Sequence, residues 1–211
     1  MTYFEITLFE RLRDFFAAAG YGFLLEQKQY RQRTRTGFRN VILSMTDYEG
    51  ELIVEVNLGI RKDHVEEIVQ QFLTTRNDFQ SEANTIIISI GKLTNNPYFR
   101  YKVINDEDLE LCQEQICHFM STQGFDFLNE VDNLMRLDTA LNKSPRKPSK
   151  YMYNQRHRCF KGLVVAYLNK NPNYEQLTHI YREVLQAQGS SDMILLNYQR
   201  MVDLLANYSV N

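Results

Sequence analysis

Between residues 51 and 60 the apolar positions alternate strictly. Leu52, Val54, Val56, Leu58 and Ile60 interleave with Glu51, Ile53, Glu55, Asn57 and Gly59. Successive strand side chains point to opposite faces, so this period of two fits a strand with one side buried; wound as a helix, the same five residues would scatter round the axis. Upstream, residues 23–33 and 38–46 read as two further strands separated by Thr36-Gly37, and Glu49-Gly50 supplies the next turn. Three strands joined so closely form an antiparallel meander.

The flanks carry the helical period. Ile6, Phe9, Leu12, Phe16 and Ala19 recur every three to four positions and stop at Gly20. Asp63, with Glu66 three residues on, has the spacing of an N-cap and its reciprocal partner, opening a helix through about Leu73 that buries Val65, Ile68, Val69 and Phe72. Ile86 to Ile90 is short, β-branched and nearly all apolar, as in a strand covered on both faces, and Tyr98 to Ile104 suits an edge strand. From Asn105 onward the pattern is helical. Leu109, Cys112, Ile116, Phe119 and Met120 share one face and Phe127, Val131, Leu134 and Leu141 another, with Gly124 expected to separate the two helices. Ser144-Pro-Arg-Lys-Pro-Ser149 reads as a linker, a hinge or exposed loop. Three more helices are expected around Phe160–Leu168, Leu177–Leu185 and Leu195–Leu205. The expected fold class is therefore α+β: an antiparallel sheet of four or five strands with flanking helices and a helical C-terminal portion. The sheet region spans 1–104 and the helical region 105–211, the latter either separate or packed on the sheet as one domain.

With 44% hydrophobic and 24% charged residues, the chain has the makings of a large core. A net charge of −2 gives no global attraction to nucleic acid or acidic membranes and leaves local patches to be weighed individually. Cys112, Cys117 and Cys159 form neither a disulfide framework nor a zinc ribbon, which fits a reducing compartment. Glu5 and Glu10 stand where a signal peptide needs an uninterrupted apolar stretch, and no apolar run approaches the roughly 20 residues that cross a bilayer. A cytoplasmic protein that does not span a membrane is expected.

Arg31, Arg33 and Arg35 alternate along the first expected strand and so project from one face, with Arg39 just across the turn and Tyr30 or Phe38 available for stacking. Guanidinium groups set this closely can bind anions, and the ridge suits phosphates with those rings stacking on bases. The same residues also fit a plain solvated surface, because Glu51 and Glu55 on a nearby strand can neutralise them across the sheet. A second basic run holds Lys143, Arg146, Lys147, Lys150, Arg156, Arg158 and Lys161, with Tyr151, Tyr153 and His157 among them. It suits a phosphate backbone, an acidic protein, or the acidic residues of the preceding helices.

Catalytic signatures are lacking: there is no phosphate loop, no G-x-G-x-x-G and no G-x-S-x-G elbow. Asp47 and Glu55 flank a turn and strand in the manner of a cation-dependent nuclease, yet Glu55-Val56-Asn57 lacks the lysine that Glu-x-Lys supplies. His64, His118, His157 and His179 are scattered, Cys112 suits a core position, and Cys159 sits among Arg156, Arg158 and Lys161, which favour a lowered thiol pKa. Neither a metal nor a cofactor is expected.

Gly20-Tyr-Gly-Phe23, the strand bearing Tyr30-Arg31, Val41-Ile-Leu-Ser44 and Val54-Glu-Val-Asn-Leu-Gly-Ile60 together resemble the bacterial domain-of-unknown-function family 4304 over roughly the first 70 residues. Gly162-Leu-Val-Val-Ala-Tyr-Leu168 with Asn171-Pro-Asn-Tyr174 looks like the helical ending of such domains, while Tyr21 and Leu24 stand where that family carries lysine. The resemblance implies a fold and no activity. The function expected from these features is non-enzymatic recognition of a macromolecule, with a protein partner ahead of nucleic acid. Arg31, Arg33, Arg35, Arg39 and Tyr30 are the candidate anion-binding or partner-binding residues; a metal-dependent phosphoryl hydrolase is the enzymatic alternative.

Overall fold

The computed structural model describes residues 2–74 and 77–208. They fold as two compact units, the first formed by 1–60 with 87–130 and the second by 61–86 with 131–211. The architecture is α+β as expected, with an antiparallel sheet, flanking helices and a helical C-terminal portion.

The first unit opens with α1 (Tyr3–Ala18), closed at its start by a reciprocal cap in which Thr2 Oγ1 accepts from the Glu5 amide and Glu5 accepts from the Thr2 amide at 2.8 Å. Its buried stripe of Leu8, Phe9, Leu12 and Phe16 lies over the sheet, where the Phe16 and Tyr30 rings stack with centroids 4.2 Å apart. The helix ends as Gly20, at φ +81°, donates its amide to Ala17 O and Tyr21 donates to Phe16 O.

The single strand expected over 23–33 is two strands, β1 (Gly22–Leu24) and β2 (Gln29–Thr34), folded back at a turn where Lys28 holds φ +49°. This split gives one strand more than the sequence count. β3 (Gly37–Tyr48) and β4 (Glu51–Lys62) complete the meander, and β5 (Ile86–Ser89) extends the order to β1-β2-β3-β4-β5. The expected edge strand is present as β6 (Tyr101–Val103), antiparallel to β4 with Val54 opposite Tyr101. Leu52, Val54 and Val56 are buried between half-buried Glu51, Ile53 and Glu55, as the alternation requires, but from Val56 to Lys62 β4 is buried on both faces, Asn57 and Gly59 included.

Gly124 does not separate two helices. α5 (Asp106–Phe119) runs through a π-helical turn, Met120–Gly124, directly into α6 (Phe125–Val131). A Cβ on Gly124 would lie 2.5 Å from Met120 Sδ, so the glycine is there for close packing rather than for a cap.

In the second unit the Asp63 signal is realised differently. α2 (Asp63–Val69) starts after Lys62, which makes no side-chain cap; Asp63 accepts from Arg61 Nε at 2.6 Å, and Glu66 points inward. Two single-turn helices, α3 (Asn77–Gln80) and α4 (Ile90–Leu93, which lies in the first unit), fall where no helical period is present. α7 (Leu134–Asn142), α8 (Gln155–Leu168), α9 (Tyr174–Ala187) and α10 (Asp192–Ala206) form the helical layer, with α8 packed against α7, α9 and α10. No helix among the described residues is long and apolar enough to cross a membrane.

Candidate functional site

The β2–β3 hairpin carries the expected arginines, and its register sorts them. Arg31 lies opposite Asn40 and Arg33 opposite Phe38, which puts these four on one face; Tyr30 opposite Val41 and Gln32 opposite Arg39 occupy the other. Arg31 and Arg33 are therefore brought together and Arg39 is turned away from them. Arg39 is bonded to Gln32 Oε1 at 3.1 Å and to Asn129 Oδ1. Arg31 is buried, with Nε donating to Asn40 Oδ1 at 2.9 Å and its guanidinium 3.8 Å from the centroid of the Phe38 ring. Arg33 is exposed at 5.5 Å from the same ring, and Arg35 is exposed in the turn that joins the strands. Neither aromatic side chain offers a stacking surface. Phe38 and Tyr30 are both fully buried, and the Tyr30 hydroxyl donates to Phe9 O at 2.6 Å while burial raises its pKa.

The two glutamates able to neutralise these arginines across the sheet are engaged elsewhere. Glu55 pairs with Arg100 at 2.7 Å and Glu51 with Lys102 at 2.7 Å, both partners lying at or beside β6. Arg33 and Arg35 consequently have neither ion pair nor side-chain hydrogen bond among the described residues, and each stands more than a third exposed beside the other's strand end. The end of the hairpin thus presents two solvated cations, Arg33 in β2 and Arg35 in the turn, beside the bonded Arg31, Asn40 and Phe38.

In the second basic run Lys143, Arg146, Lys147, Lys150 and Arg156 are exposed, whereas Arg158 and Lys161 are buried. Arg146 is paired with Glu183 at 2.8 Å and Arg156 donates to Gln188 O at 3.4 Å. Arg158, only 2% exposed, donates to the carbonyl oxygens of Leu141, Ser144, Pro145 and Lys147 at 2.7–3.2 Å. It thereby satisfies the end of α7 and fastens the loop read as a linker, whose side chains face outward while its carbonyls are held. Lys161 is also buried. Its Nζ lies 3.0 Å from Glu66 Oε1 and 2.6 Å from Asn84 O, and Glu66 further accepts from Thr85 Oγ1 at 2.9 Å and from Gln70 Nε2 at 2.8 Å.

This cluster escapes sequence reading because Asp63 and Glu66 have the spacing of a cap. The only hint was that Lys161 falls on the apolar stripe containing Phe160 and Val164. A polar cleft of about 380 Å³ opens beside it, lined by Arg61, Glu66, Glu67, Gln70, Gln71, Gln80 and Ser81.

The Cys159 thiol is not lowered. Burial outweighs the effect of Arg158 and pushes it up to about 12, and burial does the same to Cys112. Asp47 accepts from the Gly50 amide at 3.2 Å within its turn, apart from the Glu55–Arg100 pair. Among the described residues no group of three or more His, Cys, Asp and Glu side chains is placed to hold a metal ion. Compared with known proteins, the chain matches no family model, no curated protein and no solved structure.

Proposed function

We propose that this protein is a non-catalytic recognition protein whose β2–β3 hairpin docks an acidic stretch of a partner protein. The carrying observation is that Arg33 and Arg35 stay exposed and unpaired while Glu51 and Glu55 are committed to Lys102 and Arg100. A guanidinium presents several fixed donors suited to a carboxylate, and two at one hairpin end discriminate by charge as well as by geometry. Burial of Tyr30 and Phe38 favours a protein over a single-stranded nucleic acid, which ordinarily needs exposed rings for its bases. The free thiols of Cys112, Cys117 and Cys159 support a reducing, cytoplasmic setting.

The test is an anisotropy titration of a fluorescein-labelled peptide rich in Asp and Glu against the wild-type chain and the Arg33→Ala/Arg35→Ala variant, with an oligothymidylate run in parallel. The expected result is peptide affinity at least about tenfold lower in the variant, more pronounced at low salt. Equal binding by both chains rejects the site. Tighter, arginine-dependent binding of the oligonucleotide replaces the protein partner with nucleic acid.

A further inference from the structure

The hairpin's outer edge is open where its arginines are. Leu43 donates its amide to Lys28 O, which fixes the alternation along the β2–β3 ladder: Lys28, Tyr30, Gln32 and Thr34 direct their backbone groups toward β3, whereas Gln29, Arg31 and Arg33 direct theirs toward β1. β1 meets this demand at Gln29, opposite Leu24, and at Arg31, opposite Gly22. It cannot meet it at Arg33. The residue that would stand there is Gly20, but at φ +81° the chain has turned away and Gly20 and Tyr21 give their amides to Ala17 and Phe16 in the end of α1. The Arg33 N–H and C=O therefore face outward at an unpaired stretch of sheet edge, with Gly20, Arg33, Arg35 and Thr36 all exposed around it.

Resting on the recognition reading above, we infer that the partner binds as an extended acidic strand added to this edge, pairing its main chain with Arg33 while its carboxylates meet Arg33 and Arg35. Charge selects the occupant. A second copy of this edge would bring arginine against arginine, the ordinary device by which sheet edges avoid self-pairing, while an acidic strand gains ion pairs and ladder bonds together. The geometry also dictates which partner residues do both. Directly opposed residues of an antiparallel pair carry their side chains on the same face, and Arg33 turns its backbone groups toward the incomer. The residue opposite Arg33 must then supply both the carboxylate and the main-chain N–H and C=O, and its neighbours in the strand supply neither.

The probe is a synthetic heptapeptide of alternating Glu and Thr, compared with two analogues N-methylated either at every Glu or at every Thr. Affinities are measured by anisotropy for the wild-type chain and for Arg33→Ala/Arg35→Ala, and exchange of the Arg33 amide proton is followed by NMR. The expected outcome is that methylation at Glu weakens binding about tenfold or more, methylation at Thr changes it about twofold at most, and the Arg33 amide gains exchange protection in the complex. If all three peptides bind alike and the Arg33 amide exchanges as in the free chain, strand addition is overturned; loss of affinity in the arginine variant would then leave charge recognition standing alone. If the arginine variant binds all three peptides as the wild type does, both the pairing and the recognition reading fall.

Discussion

Arg158 and Arg33 belong to equally basic stretches of sequence and do opposite work. Arg158 is sealed inside the second unit with every arm of its guanidinium spent on the carbonyls of Leu141, Ser144, Pro145 and Lys147. Arg33 stands in solvent at the edge of the first unit with no ion pair among the described residues. The contrast extends to their neighbours, since Lys161 is bonded to buried Glu66 while Arg35 has no partner in its turn. Cations in a sequence are thus not interchangeable evidence of a binding surface. Those on the apolar stripe of a helix are structural, and those at a strand end beyond the reach of carboxylates stay solvated.

That contrast can be broken most forcefully at Lys161. Lys161→Met leaves the Glu66 carboxylate buried beside Thr85 and Gln70 without its countercharge, and the expected loss is about 4 kcal/mol in the urea unfolding free energy. Adding Glu66→Gln should restore much of it; a single variant of near wild-type stability would show that the pair is not holding the fold.

Next comes Arg158→Lys, which keeps the charge and loses the planar fork. A loss of about 3 kcal/mol is expected, because an ammonium cannot serve four separate carbonyls. A neutral outcome would mean the loop after α7 closes without Arg158.

Smaller still is a pH effect at His157, whose pKa is lowered by burial and then by Lys161, with Glu66 pulling the other way. The folded chain therefore resists a proton that the unfolded chain takes up near pH 6.5. Stability associated with this group is full above that pH and is lost as pH falls toward the lower folded value. His157→Gln should flatten the fall in urea midpoint between neutral pH and about pH 5.5, and an unchanged slope would assign it to other groups.

Smallest of all, Arg33→Ala/Arg35→Ala should change stability by no more than about 0.5 kcal/mol. A larger drop would place these arginines with Arg158 and remove the contrast.

Local periodicity carried most of the fold. The alternation from Leu52 and the stripe of α1 each report one element, and the buried side in part: beyond Val56 both faces of β4 are buried, and in α1 Phe9, Leu12 and Phe16 are buried as expected while Ile6 is exposed and Leu8 is buried. What periodicity cannot report is a partner distant in the chain. Glu51 and Glu55 looked free to neutralise the hairpin because nothing local showed that β6 would bring Lys102 and Arg100 beside them. Arg39 looked like a fourth member of the ridge until the strand register placed it on the opposite face. The break between β1 and β2 was hidden because its positive-φ residue is Lys28, where a glycine would have announced the turn. Glu66 has the spacing of a cap partner and of a buried carboxylate alike, and only the approach of Thr85 and Lys161 tells them apart.

The π turn at Met120–Gly124 is a place where this helix can shorten by one residue. Such a turn accommodates one residue more than the α-helix around it while the flanking turns stay in phase. A version of the protein lacking a single residue there could wind as an unbroken α-helix from Asp106 to the end of α6. Phe125 would still meet Phe15 and Phe16, and Asn129 would still reach Arg39. A one-residue deletion elsewhere in the same helix would rotate everything beyond it by about 100°. This turn is therefore where the chain can lose one residue and keep the hairpin's support.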